Sequence, residues 1–499
     1  MLKISYFSYI PYYMDLSNGF VPGARVYFIG IKGTGMSALA ELMQGRGIHV
    51  SGSDKPEQFY TDAILKGLNI PYFESFEASH ISSAEAAGQG SLPDLVIYSA
   101  AYNSETNPEI AQAQKLGIAL CKYSEALGAY SAHFDSSGIA GVHGKTTTTA
   151  IAGTLIRGAG LPAQVLAGSA VSGFGDRSTL NLGNTYFVAE TCEYRRHFLS
   201  FHPRRIILTS IESDHQDYYP TYESIRDAFL EYCRLLPPGG KLIYCADDPG
   251  ASEAAGLLQK EGRDIVYTPY GFSAQGDFGI EFFETNNERI IMKLKGFPGE
   301  LKLRIPGRHT ALDAAAAIAL VSDLAEKEFG DGWNDDRREG VRTALEGFKG
   351  SRRRSEIIGE AGGVLFMDDY GHHPTAIKTT LAGLKEFYPN RRLVLSFMSH
   401  TYTRTASLLD EFAASFEKAD VIVLHKIYAS AREVYNGGVT GKTLFEKAKA
   451  LFGGKVYYVE EPEDAAGLLQ TILQPGDLFI TMGAGDNWKL GKKLLGLIK

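Results

Sequence analysis

Short apolar runs alternate with amphipathic, helix-like segments from residue 25 to the end of the chain. The runs at 25–30 (Arg-Val-Tyr-Phe-Ile-Gly), 48–52 and 95–99 read as buried parallel strands, apolar on both faces. A glycine-rich loop follows the first, and an amphipathic helix is predicted from there to about Gly45. Ile139-Ala140 leads into a second glycine-rich loop, with a helix predicted from Thr146. Further strands are predicted at 186–189, 206–209 and 241–244. Residues 263–305 alternate apolar and polar positions, which predicts an antiparallel insert, and the run Ala311 to Ala319 predicts a closely packed helix. A last series of strands falls at 364–367, 393–397, 421–424 and 478–481, each flanked by helix-like segments. Strands alternating with helices imply doubly wound α/β layers. At 499 residues the chain exceeds one hydrophobic core. Three domains are expected, at 25–125, 126–347 and 348–499, after an aromatic-rich extension at 1–24. For that extension two readings stand: translation that begins at Met14, or a short structured segment.

Composition changes this picture little but excludes several classes. A hydrophobic fraction of 44% with 22% charged residues is ordinary for a globular protein. The net charge of -8 argues against a nucleic-acid binder. The four cysteines (Cys121, Cys192, Cys233, Cys245) form no CxxC pair, so neither a disulfide framework nor a zinc site is expected, and a reducing cytoplasm is the default. No apolar run reaches the roughly 18–20 residues that cross a bilayer.

The two glycine loops carry the chemistry. The first, Gly30-Ile31-Lys32-Gly33-Thr34-Gly35-Met36-Ser37, lacks a lysine placed to neutralise a triphosphate. Its glycines permit a tight strand-to-helix turn and close approach of a ligand, with the helix N-terminus facing a diphosphate. Asp54, after the next strand, is the candidate for a ribose or sugar hydroxyl. A purely structural turn and a nicotinamide-dinucleotide site are the other readings, the latter lowered by the GxxGxG spacing. The second loop, Gly141-Val142-His143-Gly144-Lys145-Thr146-Thr147, has the lysine and hydroxyls that hold phosphates and Mg²⁺. Polar clusters then follow strand ends: Glu190-Thr191-Cys192-Glu193 and Glu212-Ser213-Asp214-His215. In open α/β sheets ligands bind beyond such strand ends, and acids beside a phosphate loop suit Mg²⁺. The last block adds Arg352-Arg353-Arg354, Asp368-Asp369-Tyr370-Gly371-His372-His373 and His400 to Arg404.

Taken in order, GIKGTGMSALA, GVHGKTTTT, AETCEY with HFLSFHP, IESDH, Arg353 to Glu356, DDYGHHPT and GAGDNW resemble the motifs of the Mur ligases of bacterial peptidoglycan synthesis. The resemblance covers residues 25 to 499. It implies a Rossmann-like N-terminal domain for a UDP-sugar, a P-loop ATPase-like central domain with a parallel sheet, and a Rossmann-like C-terminal domain. It further implies an ATP- and Mg²⁺-dependent amide ligase acting on UDP-N-acetylmuramate through an acyl phosphate, with L-alanine as the expected amino acid. A tripeptide-adding recycling ligase and a catalytically weakened UDP-sugar-binding protein are the alternatives. By this resemblance Gly30, Gly33, Gly35, Met36, Ser37 and Asp54 lie near the uridine diphosphate. Gly141, His143, Gly144, Lys145, Thr146, Thr147, His309, Asp313, Arg353 and Arg354 hold ATP. Lys145, Glu190, His215 and Asp369 are catalytic; Thr146 and Glu190 ligate one Mg²⁺ and His215 a second. His372 and Arg404 face the amino acid and the lactyl carboxylate. A cytoplasmic monomer or homodimer is expected, without nucleic-acid or membrane partners. Four departures stand out: Ser210 where the family has asparagine, Thr310 and Asp313 at the two asparagines of a HNxxN motif, Thr401 for an arginine, and Lys426 for an aspartate.

Overall fold

The computed structural model describes residues 16–82, 92–286, 288–330, 333–429, 433, 435 and 437–498. The question of Met14 lies outside the described residues; Ser17–Phe20 form a 3-10 turn. Contacts divide the chain into two compact units: residues up to Asp135 with Ser200–His202, and Ser136–Leu199 with Pro203–Lys499.

The first unit holds a five-stranded parallel sheet. Its strands are β1 (Arg25–Ile29), β2 (His49–Ser53), β3 (Tyr72–Phe73), β4 (Leu95–Tyr98) and β5 (Ala119–Lys122), in the order β3-β2-β1-β4-β5. Chain order reverses at β1, whose neighbours lie on opposite sides. A loop leaving the carboxyl end of such a strand opens onto a crevice, which is where the first glycine loop sits.

The second unit holds two sheets. The ten-stranded one comprises β6 (Asp135–Ala140), β7 (Ala163–Val171), β8 (Arg177–Asn181), β9 (Tyr186–Glu190), β10 (Arg205–Leu208), β11 (Gly240–Cys245), β12 (Ile265–Gly271), β13 (Phe278–Thr285), β14 (Ile290–Leu294) and β15 (Phe297–Leu303). Their order is β15-β14-β13-β12-β11-β10-β6-β9-β7-β8. The expected insert at 263–305 is antiparallel only from β13 to β15; β12 pairs parallel with β11, so it extends the main sheet. Alternation reported a half-exposed face, and that face is compatible with either direction of pairing. The β7–β8 pair, turned through Ser172–Phe174, is an antiparallel edge that the apolar pattern did not announce.

The six-stranded sheet is β16 (Glu356–Ala361), β17 (Val364–Asp369), β18 (Arg392–Met398), β19 (Val421–Leu424), β20 (Val456–Tyr458) and β21 (Asp477–Gly483), ordered β16-β17-β21-β18-β19-β20. All its pairs are parallel except β16 with β17. No helix among the described residues is long and apolar enough to cross a membrane.

Helix packing in the second unit depends on small residues. Helix α1 (Thr34–Gly45) follows the first glycine loop, and α2 (Lys145–Ala159) follows the second. The alanine run lies in α3 (Arg308–Phe329), where Ala311, Ala314, Ala315, Ala316 and Ala317 are fully buried against its neighbours. Helix α4 (Asp335–Glu346) crosses α2 where Gly158 meets Gly340; a Cβ on Gly158 would stand 2.6 Å from the Gly340 carbonyl oxygen. Gly158→Val should therefore separate the helices and destabilise the second unit by about 1–3 kcal/mol, the usual cost of overpacking. The urea-unfolding midpoint of the two proteins checks this, and an unchanged midpoint would refute close packing at this crossing.

Candidate active site

The site in the second unit is built at the carboxyl ends of adjacent strands. The phosphate loop leaves β6, Glu190–Glu193 leave β9, and Thr209–His215 leave β10. From the six-stranded sheet, Asp369–His373 leave β17 and His400–Arg404 leave β18. Together they line one cavity of about 580 Å³. The sequence could supply the strand ends; only the strand order shows that these five segments converge.

Gly144 has φ +81° and caps α2, and a Cβ there would meet the Asp313 carboxylate at 2.6 Å. The turn thus excludes other residues by both torsion and space. It delivers Lys145 into the cavity, where its ammonium donates to the Gly141 carbonyl and to Glu193 Oε2 at 2.9 Å. Burial disfavours the lysine's charge, but Glu193 and Glu190 outweigh it and hold its pKa above the usual value. Glu193 is itself buried, accepts from Lys145, and lies 3.3 Å from His215 Nε2. The Lys145 charge and the hydrogen bond with His215 overcome its desolvation and keep its pKa low. Glu193 is a residue that the sequence reading did not select. Its spacing of three from Glu190 was the available signal.

Thr146 Oγ1 donates to Glu190 Oε2 at 2.8 Å. Two oxygens at that separation match one edge of a Mg²⁺ octahedron, about 3.0 Å for bonds near 2.1 Å. The pair therefore fits the expected cation. His215, in left-handed conformation at φ +52°, presents Nε2 to Glu193 instead, so a second cation would be shared with that carboxylate.

The two expected arginines separate. Arg354 lines the cavity, its Nη2 3.5 Å from Thr146 Oγ1. Arg353, at φ +60°, turns into the six-stranded sheet, where it donates to Asp368 Oδ2 at 2.9 Å and to the carbonyls of Gly483 and Gly485. It does not line the cavity. Asp369 lines the cavity while its carboxylate accepts from the amides of Ser355 and Gly371. Thr147 and His309 also line it, and burial lowers the pKa of His309.

On the far side Arg404 donates twice to Asp214 Oδ1, at 2.9 and 2.6 Å, and to His400 Nδ1 at 2.9 Å. Arg404 and Asp214 are both buried. Despite the cost of burial, the Arg404 guanidinium holds the Asp214 carboxyl well below its ordinary range. His372 Nδ1 lies 2.9 Å from the Tyr370 carbonyl oxygen, so Nδ1 carries the proton and Nε2 is an acceptor. Burial and then Arg404 push the His372 pKa well down.

Three family models match successive parts of the chain: the Mur ligase family catalytic domain over residues 25–135, the Mur ligase middle domain over 139–321, and the Mur ligase glutamate ligase domain over 353–485. The chain belongs to the Mur ligase family. It is 51% identical over 479 residues to the UDP-N-acetylmuramate–L-alanine ligase of Treponema pallidum, covering 96% of this chain and 98% of that one. Among solved structures, the UDP-N-acetylmuramate–alanine ligase of Thermotoga maritima superposes with a TM-score of 0.72 at 26% identity, over 95% of this chain and 98% of that one. A murein peptide ligase from Psychrobacter arcticus shares the fold, with a TM-score of 0.64 at 23% identity, over 95% and 98% of the two chains.

The departures from the Mur ligase pattern have local accounts. Ser210 Oγ accepts the His143 amide at 2.9 Å, so serine serves the phosphate loop. Thr310 Oγ1 donates to the Pro306 carbonyl at 2.8 Å, within its own helix turn. Asp313 accepts from Thr148 Oγ1 at 2.9 Å. Thr401 has φ +64°, and its amide donates to Tyr428 O. Lys426 pairs with Glu461 at the surface.

In the first unit, Gly30 has φ +85°, and a Cβ there would stand 2.9 Å from the Tyr102 ring. Gly33 precedes α1 with no side-chain cap, and Gly35, Met36 and Ser37 form its first turn. The Gly33 and Ser37 amides donate to the carbonyls of Gly30 and Gly33, so the amides of Gly35 and Met36 are the ones that suit an anion. Lys32 is buried, with its ammonium at 3.1 Å from Asp62 and 3.2 Å from Glu74. Asp54 is tied to the loop, its two oxygens accepting the amides of Lys32 and Lys55.

Burial raises the Asp313 carboxyl to about 7, against opposition from Thr148 and Arg354. A carboxyl whose folded pKa lies above its unfolded value costs stability as pH rises from its unfolded pKa to its folded one. Asp313→Asn cannot ionise. The wild type should lose more thermal stability than Asp313→Asn between about pH 4 and about pH 7.5. Equal slopes of melting temperature against pH would show that Asp313 titrates normally.

Proposed function

We propose that this protein is the ATP-dependent ligase that joins L-alanine to the lactyl carboxylate of UDP-N-acetylmuramate, in the cytoplasmic synthesis of peptidoglycan precursors. The observation that carries the reading is the full-length 51% identity to such a ligase, in a chain whose phosphate loop and six-stranded sheet line one cavity.

The chemistry follows from that cavity. Phosphoryl transfer requires positioning and charge neutralisation more than covalent help. A lactyl carboxylate oxygen attacks the γ-phosphorus of ATP, ADP departs, and the amine of alanine then displaces phosphate from the acyl carbon. Lys145 neutralises the transferring group once Glu193 yields it, and Arg354 supplies a second positive charge. Bound Mg²⁺ would supply further neutralisation of the phosphates, held by Thr146 and Glu190, with His215 and Glu193 available to a second ion. Gly141, His143, Gly144 and Thr147 shape the phosphate cradle, while His309 and Asp313 face the nucleotide. Asp369 fixes the segment that carries Arg354. Arg404 offers a fork for a carboxylate, and the His372 Nε2 lone pair accepts from an ammonium or amine. Excluding water from this cavity protects the acyl phosphate from hydrolysis. In the first unit, the amides of Gly35 and Met36 receive the diphosphate, Gly33 and Ser37 close the turn through their own backbone hydrogen bonds, Gly30 permits the approach, and Asp54 holds the loop in shape.

The test is phosphate release from ATP with Mg²⁺ and UDP-N-acetylmuramate, each amino acid being added in turn. Release should require L-alanine, and Lys145→Ala should lower kcat by about a hundredfold or more. Release only with a tripeptide would convert the reading to a recycling ligase. Binding of the UDP-sugar without release for any amine would leave a non-catalytic relative.

A further inference from the structure

His143, Glu212 and His373 come from three different strand ends: the phosphate loop after β6, the segment after β10, and the turn after β17. Each offers one ligand atom, and the three atoms lie within 4.8 Å of one another. Glu212 Oε1 is in contact with His143 Nε2 and lies 3.4 Å from His373 Nδ1. In a tetrahedral site with bonds of about 2.0–2.1 Å, neighbouring donor atoms stand about 3.3 Å apart; the Glu212–His373 pair has that spacing, and the His143 ring must draw back from Glu212 to reach it. The other Glu212 oxygen accepts from Thr375 Oγ1 at 2.9 Å, and the His143 amide is fixed by Ser210 Oγ. Such outer partners orient metal ligands.

The protein atoms alone leave this cluster poorly satisfied. His373 caps helix α5 (Pro374–Phe387), its Nδ1 accepting the Thr375 amide at 3.4 Å. That bond is long, and the same Nδ1 lone pair stands 3.4 Å from a carboxylate oxygen, so two acceptors oppose each other and a cation that took the lone pair would replace the Thr375 bond. Its Nε2, in a side chain only 5% exposed by residue, has no hydrogen-bond partner. A cation among the three atoms resolves the facing acceptors.

We propose that His143, Glu212 and His373 bind one late transition-series divalent cation of the zinc class, separately from the Mg²⁺ pair at Thr146 and Glu190. Two imidazoles and one carboxylate suit zinc, whereas Mg²⁺ prefers an all-oxygen octahedron. All three residues line the cavity, which leaves a fourth position open to water or a phosphate oxygen. Because His143 belongs to the phosphate loop and His373 begins a helix of the six-stranded sheet, occupation ties those two parts together. The ion therefore acts as a clamp between them.

Cobalt(II) is the probe, titrated into the full-length protein in saturating Mg²⁺. One equivalent should bind with the visible absorption of a four-coordinate site, and Zn²⁺ should displace it. His373→Asn retains an N-cap side chain but loses the imidazole, and should weaken binding by about tenfold or more; Glu212→Gln should do the same. Zn²⁺ should raise the melting temperature of the wild type and not of either variant. Circular dichroism establishes that the variants are folded. Absence of the visible bands in the wild type overturns the proposal, as does equal affinity in a folded variant. None of these readings depends on turnover, so the outcome stands apart from the ligase assay.

Discussion

The Lys145 ammonium is largely withdrawn from water, and it stays charged there because Glu193 lies 2.9 Å away with Glu190 nearby. Much of the second unit is arranged around that fact. The phosphate loop must turn through Gly144 to bring the lysine inward, and β9 must end where Glu190 and Glu193 straddle it. His215 then meets Glu193, and Asp214 beside it is held by Arg404 from the six-stranded sheet. A continuous chain of polar contacts, charged at Lys145, Glu193, Asp214 and Arg404, thus links the two sheets. Removing one member of a buried pair such as Asp214 and Arg404 strands the other charge, typically at 3–5 kcal/mol. The network is better understood as fixing geometry than as adding net stability, because charge burial nearly cancels the attraction.

The same network readies the site for an anion. Lys145 is paired with Glu193 and Arg404 with Asp214. A triphosphate or a carboxylate entering the cavity exchanges one charged partner for another. The carboxylates displaced in that exchange, Glu193 and Asp214, both keep His215 as a neighbour. The first unit shows the opposite arrangement. Its loop lysine, Lys32, is consumed internally by Asp62 and Glu74, which leaves backbone amides and the exposed Thr34 rather than a charge to meet a ligand. One loop therefore offers dipoles and the other a full charge.

Much of this was legible in the residues. The apolar runs located the central strands because burial on both faces leaves an uninterrupted signature. The glycine loops were legible because torsion and space there admit few alternatives. What was not legible depends on pairing across the chain. The direction of β12 is set by β11, which alternation does not report. The edge strands β7 and β8 carry no long apolar run. Arg353 and Arg354 are adjacent and chemically identical, and only the left-handed turn at Arg353 sends one guanidinium to Asp368 and the other to the cavity. Glu193 and Glu212 stood in the clusters that the sequence marked for a cation, but their individual partners emerged only when strand order placed Lys145, His215 and His143 beside them. Residues that act through partners far along the chain are the ones a linear reading misses.

His215, Arg353, Ser355 and Thr401 all carry positive φ, and all lie in or beside the same cavity. Each such torsion in a residue with a Cβ costs of order 1 kcal/mol or more and persists because its surroundings over-determine it. The consequence is for mutational tolerance. At these positions the backbone prefers glycine or asparagine, while the chemistry prefers the side chain present. An exchange that looks conservative by polarity, such as threonine to valine, meets the harsher penalty, and one that looks drastic, such as serine to glycine, relieves the torsion. Ranking variants of this protein by side-chain similarity alone would therefore misorder them where they sit closest to the chemistry.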